Sequence, residues 1–195
     1  MIIKEKSKLT EICEPCSSVE EGEEIAAKLL NELVHSEEGI GLAANQIGIN
    51  KRVCVINVTE PLILINPEII EKSNDMYAFK EGCLSFPKKF ITTVRHKQIK
   101  IKADNHKEPI ELKVIEDSDK NAYLTSAYEV ACVQHEIDHL YGITMFDRKF
   151  VRPPIISNKI GRNEKVTIEK DGDTKELKYK KIDKYLEAGW TLSKQ

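Results

Sequence analysis

The stretch that decides the fold is Tyr123-Leu-Thr-Ser-Ala-Tyr-Glu-Val-Ala-Cys-Val-Gln-His-Glu-Ile-Asp-His-Leu-Tyr-Gly-Ile143. Ser126 followed three residues later by Glu129 has the pattern of a capping box, and Gly142 stands where a glycine ends a helix, so the stretch predicts a helix over residues 127–141. Val130, Val133, Ile137 and Leu140 form an apolar stripe, which buries that helix on most sides. His135 and His139 lie one turn apart on one face, with Glu136 beside them. Two imidazoles and a carboxylate are costly to bury without partners. Four-residue spacing lets both rings converge on one metal ion while Glu136 reaches a water held there, the logic of His-Glu-x-x-His. The bland alternative is a core helix with two satisfied histidines.

Working outward, a two-histidine helix needs a third protein ligand. Lys80-Glu-Gly-Cys-Leu-Ser-Phe-Pro87 offers the best candidate, Cys83, on a glycine-to-proline turn. Further upstream, residues 37–49 alternate Gly39 and Gly41 with Ile40 and Leu42 and then run through Ala43 and Ala44 to the amide of Gln46. That pattern suits backbone approaching a ligand closely. A phosphate loop would want a Gly-Lys-Ser/Thr end or a G-x-G-x-x-G opening, and neither is present. Two imidazoles, one thiolate and an open position describe a catalytic site, and these ligands suit Fe(II) as well as Zn(II). The rival enzyme class, a His-Glu-x-x-His metalloprotease, takes its third ligand at Met145 or Glu164; a thioether is a poor ligand for zinc, and Cys83 and the Gly-Gln loop are left without a role. A metal-stabilised interaction module leaves Glu136 without one.

The rest of the chain supplies a frame for these motifs. Its 195 residues suit one domain with an appendage, and 41% hydrophobic content is enough for a core. Thirty basic against 32 acidic residues give a net charge of −2, so no global field points to DNA or an anionic membrane. The first residues lack the apolar core of a signal peptide and no stretch has the length of a membrane span, so the expected location is the cytoplasm. Five cysteines without an export signal read as free thiols or metal ligands, and Cys13-Glu-Pro-Cys16 has no second pair to complete a zinc site. Ser18 with Glu21 opens a first helix over residues 19–35, and residues 52–58 and 61–72 read as two strand-like runs. Residues 98–103 and 110–114 form a hairpin, with a loop at 117–121 leading into the metal helix. After the Arg152-Pro153-Pro154 break, residues 166–170 and 175–181 read as a second hairpin around Asp171-Gly172, followed by a short helix over 183–188. The expected division is a catalytic domain at 1–149 and an extension at 150–195.

Gly39-Ile-Gly-Leu-Ala-Ala-Asn-Gln46, Glu81-Gly-Cys-Leu-Ser85 and Gln134-His-Glu-Ile-Asp-His139, in this order and at these separations, closely resemble the three signature motifs of peptide deformylases. The resemblance covers about residues 9–146. It implies an α+β fold in which antiparallel sheets surround the metal helix, and removal of the N-formyl group from nascent chains that begin with formyl-methionine. It also implies Cys83, His135 and His139 as ligands of one divalent ion, Fe(II) in the cell with Zn(II), Ni(II) or Co(II) possible in purified protein. Glu136 is implied as the proton-transfer residue, and Gln46 and the Leu84 N–H as stabilisers of an oxyanion. Gly39, Ile40 and Gly41 border the peptide in this reading, and Ile40, Phe79, Tyr128, Ala131 and Cys132 line the methionine pocket. Phe90 departs from the basic residue that some members carry near the peptide. The tail does not resemble the terminal helix with which some members dock on the ribosome, so a ribosome contact stays open.

Overall fold

The structure is a computed structural model that describes residues 2–36, 39–116, 119–151 and 161–193. Helix α1 (Val19–Val34) starts where Ser18 accepts a hydrogen bond from the Glu21 N–H at 3.2 Å, and the Glu21 carboxylate in turn accepts from the backbone and hydroxyl of Ser17. It buries Ile25, Ala26, Leu29 and Leu33 against a three-stranded antiparallel sheet of β1 (Gly41–Ala43), β2 (Val53–Asn57) and β3 (Pro61–Ile65), with β2 in the middle. Successive side chains of a strand point to opposite faces. Val53 and Val55 therefore meet α1, while Cys54 and Ile56 meet the central helix, and β2 is buried on both sides.

That central helix comes after two more antiparallel units. Strands β4 (Glu68–Lys72), β7 (Gln98–Lys102) and β8 (Ile110–Lys113) make one sheet with β7 in the middle, and β5 (Met76–Glu81) pairs with β6 (Ile91–His96) in the other. Helix α2 (Lys120–Leu140) lies among all three units. Val133, Ile137 and Leu140 pack with Cys54, Ile56, Ile99 and Ile101, and Ala127, Val130 and Ala131 pack with Tyr77 and Val114. The result is the α+β arrangement of antiparallel sheets around one buried helix.

Several expectations are corrected. Helix α2 begins seven residues before the expected start, capped by Asp119, which accepts from the Asn121 N–H at 2.8 Å. Ser126 is instead inside it, where its hydroxyl accepts from the Ile115 N–H and donates to the Tyr123 carbonyl. The far end agrees: Gly142, at φ +71, follows Tyr141 at the helix end, and a Cβ there would lie 2.4 Å from the Thr10 carbonyl oxygen. The single run read over 61–72 is two strands in different sheets, broken at Asn66, whose φ is +51, and Pro67. Strands β1, β5 and β6 were not foreseen. Asp117, Ser118 and the Arg152-Pro153-Pro154 break lie outside the described residues.

The C-terminal part has a core of its own. Strands β9 (Lys165–Lys170), β10 (Asp173–Lys178) and β11 (Thr191–Leu192) form a sheet with β9 central, and a 3-10 turn, Tyr179–Lys181, leads to α3 (Asp183–Leu186). Residues 179–181, expected as strand, are thus that turn. Val166, Ile168 and Ile182 are buried together with Tyr185, Trp190 and Leu192 around them, and the Lys175 ammonium sits 4.4 Å from the Trp190 ring centre. A cleft of about 810 Å³ separates this part from β5 and β6, lined by Asp75, Met76, Val94, Phe150, Lys170 and Leu186 among others. An ion pair of 3.2 Å between Lys170 and Asp75 spans it.

Candidate active site

Three segments far apart in sequence meet at one face of α2. The helix presents His135, Glu136 and His139 from its last turns, all of them buried. The turn that follows β5 brings Cys83, and its Sγ lies 3.3 Å from His139 Nε2, which is itself 3.2 Å from His135 Nε2. One ligand atom from each of the three residues falls within 4.8 Å of the others. The 3-10 turn after β1, Ala44–Ile47, brings Gln46. Its Oε1 accepts from the Ala43 N–H at 2.8 Å, which turns the amide NH₂ towards Cys83 Sγ at 3.5 Å and Ser85 Oγ at 3.1 Å. The Leu84 N–H donates to no other described residue.

The donor set fits a divalent ion. Glu81 Oε2 lies 2.9 Å from His135 Nδ1, so Nδ1 donates to the carboxylate and Nε2 is the nitrogen turned to His139 and available to a metal ion. A carboxylate on the far nitrogen of a ligating imidazole is the usual support for a bound metal. Burial resists charge on both rings. At His135 the hydrogen bonds its ring donates to Cys83 and Glu81 outweigh burial and lift its pKa well above the usual value, whereas burial and the neighbouring His135 push His139 well below it. Burial also raises the Glu136 carboxyl to about 7, and its Oε2 is buried with no hydrogen-bond partner among the described residues. A carboxyl poised near neutrality beside a metal-ligand cluster is suited to taking and returning a proton.

A supporting network escaped the sequence reading. Glu81 is gripped by the buried Arg95 through Nε at 2.5 Å and Nη2 at 2.8 Å, and by the Thr93 hydroxyl at 2.6 Å. Burial alone would raise the Glu81 carboxyl, but Arg95 and His135 hold it down at about 2. Arg95 also donates to Asp138 on α2, which accepts two further bonds from Arg148 at 3.0 and 2.8 Å. The available signal was that Glu81 and Asp138 stand within the same short motifs as the ligands.

Around the cluster lie the residues expected to meet substrate. Gly41 is pressed against Glu136 and Cys132: a Cβ there would lie 2.7 Å from Glu136 Oε1 and 2.6 Å from Cys132 Sγ. Cys132 Sγ is 3.5 Å from the Ile40 carbonyl oxygen, and Gly39 sits against Leu33 and Leu84. One turn up α2 from Cys132, Tyr128 meets the Phe79 ring edge-on at 4.9 Å between centres, with Ala131 packed beside Phe79. Tyr128 and Ile40 are 46% and 38% exposed, so this apolar wall is open to an incoming chain. Phe90 lies with its ring over Gly82, 61% exposed and 5.2 Å from the Lys80 ammonium. Cys13, Cys16 and Cys54 are buried and free.

Comparison with known proteins points the same way. Residues 2–154 match the family model described as polypeptide deformylase. The chain is 40% identical over 136 residues to a peptide deformylase of Prochlorococcus marinus (strain MIT 9312), a match that covers 65% of this chain and 62% of that relative. It is 34% identical over 169 residues to the peptide deformylase of Tolumonas auensis, with 81% of this chain and 93% of that one covered. The crystal structure of peptide deformylase from Thermotoga maritima superposes with a TM-score of 0.65 at 32% identity, covering 77% of this chain and 97% of that one. No helix among the described residues is long and apolar enough to cross a membrane. The chain belongs to the polypeptide deformylase family, metal-dependent enzymes that remove the N-formyl group from the formyl-methionine of new polypeptides.

Proposed function

We propose that this chain hydrolyses the formyl amide of formyl-methionyl peptides in the cytoplasm, using one divalent ion held by Cys83, His135 and His139. The observation that carries the reading is the convergence of those three ligand atoms within 4.8 Å, beside a buried Glu136 and the Gln46 amide. When bound, the ion would lower the pKa of a water to near neutrality and polarise the formyl carbonyl. Glu136, buried beside the three ligands, accepts the proton of the attacking water and returns it to the leaving amine of methionine. The Gln46 NH₂ and the Leu84 N–H donate to the oxygen on which charge develops, and Ala43 holds the Gln46 amide in that orientation before substrate arrives.

The methionine side chain lies against Ile40, Phe79, Tyr128, Ala131 and Cys132, an apolar wall supported by the Phe79–Tyr128 contact. Gly39 and Gly41 let the peptide backbone approach. The donor set and the family favour Fe(II) in the cell, a thiolate with two imidazoles being soft enough for it, and Zn(II), Ni(II) or Co(II) in purified protein. The extension is read as taking no part in this chemistry, because Val166, Ile168 and Ile182 form a core of their own within it. The lysines of the extension are interleaved with acids, as where Lys165 meets Glu176 at 3.3 Å, so its surface carries both signs and favours no ribosome contact.

The test offers the Ni(II) form formyl-Met-Ala-Ser, its N-acetyl counterpart and an internal peptide. Formate released from the first alone is the expected result. Cleavage of the internal peptide, or no turnover of any, defeats the reading.

A further inference from the structure

Behind the ligand cluster a chain of buried charges extends to a residue beyond α2. Glu81, Arg95 and Asp138 are all buried, with Arg95 only 2% exposed, so two carboxylates share one guanidinium. An uncompensated buried charge is costly, and truncating one partner of such a set leaves the rest unpaired. Arg148 supplies a second guanidinium, on the Asp138 side of the set. It grips both Asp138 oxygens in a fork, Nε to Oδ2 at 3.0 Å and Nη2 to Oδ1 at 2.8 Å, while its own side chain stays 44% exposed. Two carboxylates then face two guanidinium groups, and the chain of contacts Arg148, Asp138, Arg95, Glu81, His135 ends on a metal-ligating ring.

Arg148 is fixed to the same network a second time through its backbone. The Val94 N–H donates to the Arg148 carbonyl at 3.1 Å, Lys149 stands opposite Thr93, and the Phe150 N–H donates to the Thr92 carbonyl at 2.8 Å. Residues 148–150 therefore run antiparallel along β6, the strand that carries Thr93 and Arg95, both of which hold Glu81. Phe150 also lines the cleft against the C-terminal part. The segment that leads into the extension is thus bonded to β6 by its backbone and to α2 by its side chain.

We propose that Arg148 is a positioning residue for the metal centre: through Asp138, Arg95 and Glu81 it holds the His135 ring in its ligating orientation, and the segment that leads into the extension is part of that support. The inference rests on the reading of Cys83, His135 and His139 as the metal ligands. Arg148→Met keeps the apolar stem and removes the fork, so Asp138 leans on Arg95 alone and draws it from Glu81. Outer partners of metal ligands are worth about 10- to 100-fold in metal affinity, and Arg148 acts from further out, so release of the ion should quicken by about 5- to 10-fold.

The test uses the full chain loaded with Co(II). Wild type, Arg148→Met, Arg148→Lys and, as a control on the centre, Cys83→Ala are compared for Co(II) release to a chelator, visible absorption, and melting of the metal-free and loaded forms. The expected result is faster release and an altered Co(II) spectrum for Arg148→Met, with Arg148→Lys between it and wild type because an ammonium restores charge without the fork. A role in packing only would lower the melting temperature while release and spectrum stayed as in wild type, and that outcome overturns the proposal. If Arg148→Met does not fold, Arg148→Lys decides alone: release as slow as wild type overturns it. Cys83→Ala should lose the ion; if it retains the ion, the reading of the centre has failed instead.

Discussion

Replacing Gly41 with alanine puts one methyl group where the structure has no room for it. Gly41 has no positive φ, so its backbone is open to any residue, and only space demands glycine. The new Cβ would lie 2.6 Å from Cys132 Sγ, 2.7 Å from Glu136 Oε1 and 2.9 Å from Glu136 Cγ, where ordinary carbon contacts are about 3.5–4.0 Å. Relief requires a shift of roughly 1 Å, and both neighbours are buried, with Glu136 4% exposed. Both the Cys132 thiol and the Glu136 carboxylate must give way, and the second carries the chemistry. A misplacement of that size costs about 10²-fold in turnover, and overpacking costs about 1–3 kcal/mol in stability. The assay is formate release from formyl-Met-Ala-Ser, read as kcat and KM, beside a melting curve. Gly172→Ala is the control: Gly172 has φ +89 and nothing within 4 Å of its Cβ, so alanine there should cost about 1 kcal/mol with kcat unchanged. Gly41→Ala with kcat within threefold of wild type and an unchanged melting temperature would falsify the packing of Gly41 on Glu136.

Three further expectations concern the same site. Glu136→Gln should keep the ion and the fold and lose about 10²- to 10⁴-fold in kcat, since an amide cannot accept the proton; turnover near wild type moves that role to another group. Gln46→Leu keeps bulk and discards the donor, so kcat should fall by about 10²- to 10³-fold with KM little changed, and a raised KM at constant kcat would assign Gln46 to peptide binding instead. In the metal-free protein, the Glu136 carboxyl is raised to about 7 from 4.5, so the folded state binds a proton that the unfolded state has released. Its contribution is fully present below about pH 4.5 and is lost as pH rises through about 7, about 3 kcal/mol in all. The melting temperature of the metal-free protein should decline over that range more steeply than that of Glu136→Gln, and parallel curves would contradict the shift.

What was legible in the chain was what local chemistry dictates. The four-residue spacing of His135 and His139 and the φ that only Gly142 adopts easily are properties of a few adjacent residues, and both are found as expected. Ser126 with Glu129 had the local form of a cap, yet the Ser126 hydroxyl is engaged by Ile115, from the segment after β8, and Asp119 caps the helix. The run from Pro61 to Lys72 is β-branched on both sides of Asn66-Pro67-Glu68, which hides that its two halves belong to different sheets. It breaks at Asn66 because that side chain is bonded to Cys16 and Asp104, partners 50 and 38 residues away. The network of Glu81, Arg95, Asp138 and Arg148 was illegible for the same reason, since no period relates residues 14, 43 and 10 apart. Strands β5 and β6 carry it, and their buried charges at Glu81 and Arg95 hide the alternation by which strands are recognised.

The most direct measurement is X-ray absorption at the metal edge of the Zn(II)-loaded protein. The account predicts one sulfur at about 2.3 Å and two imidazole nitrogens at about 2.0–2.1 Å, completed by one light atom, with the sulfur shell absent from Cys83→Ala. A spectrum without sulfur at that distance, or with a third imidazole in its place, would contradict a centre built from Cys83, His135 and His139.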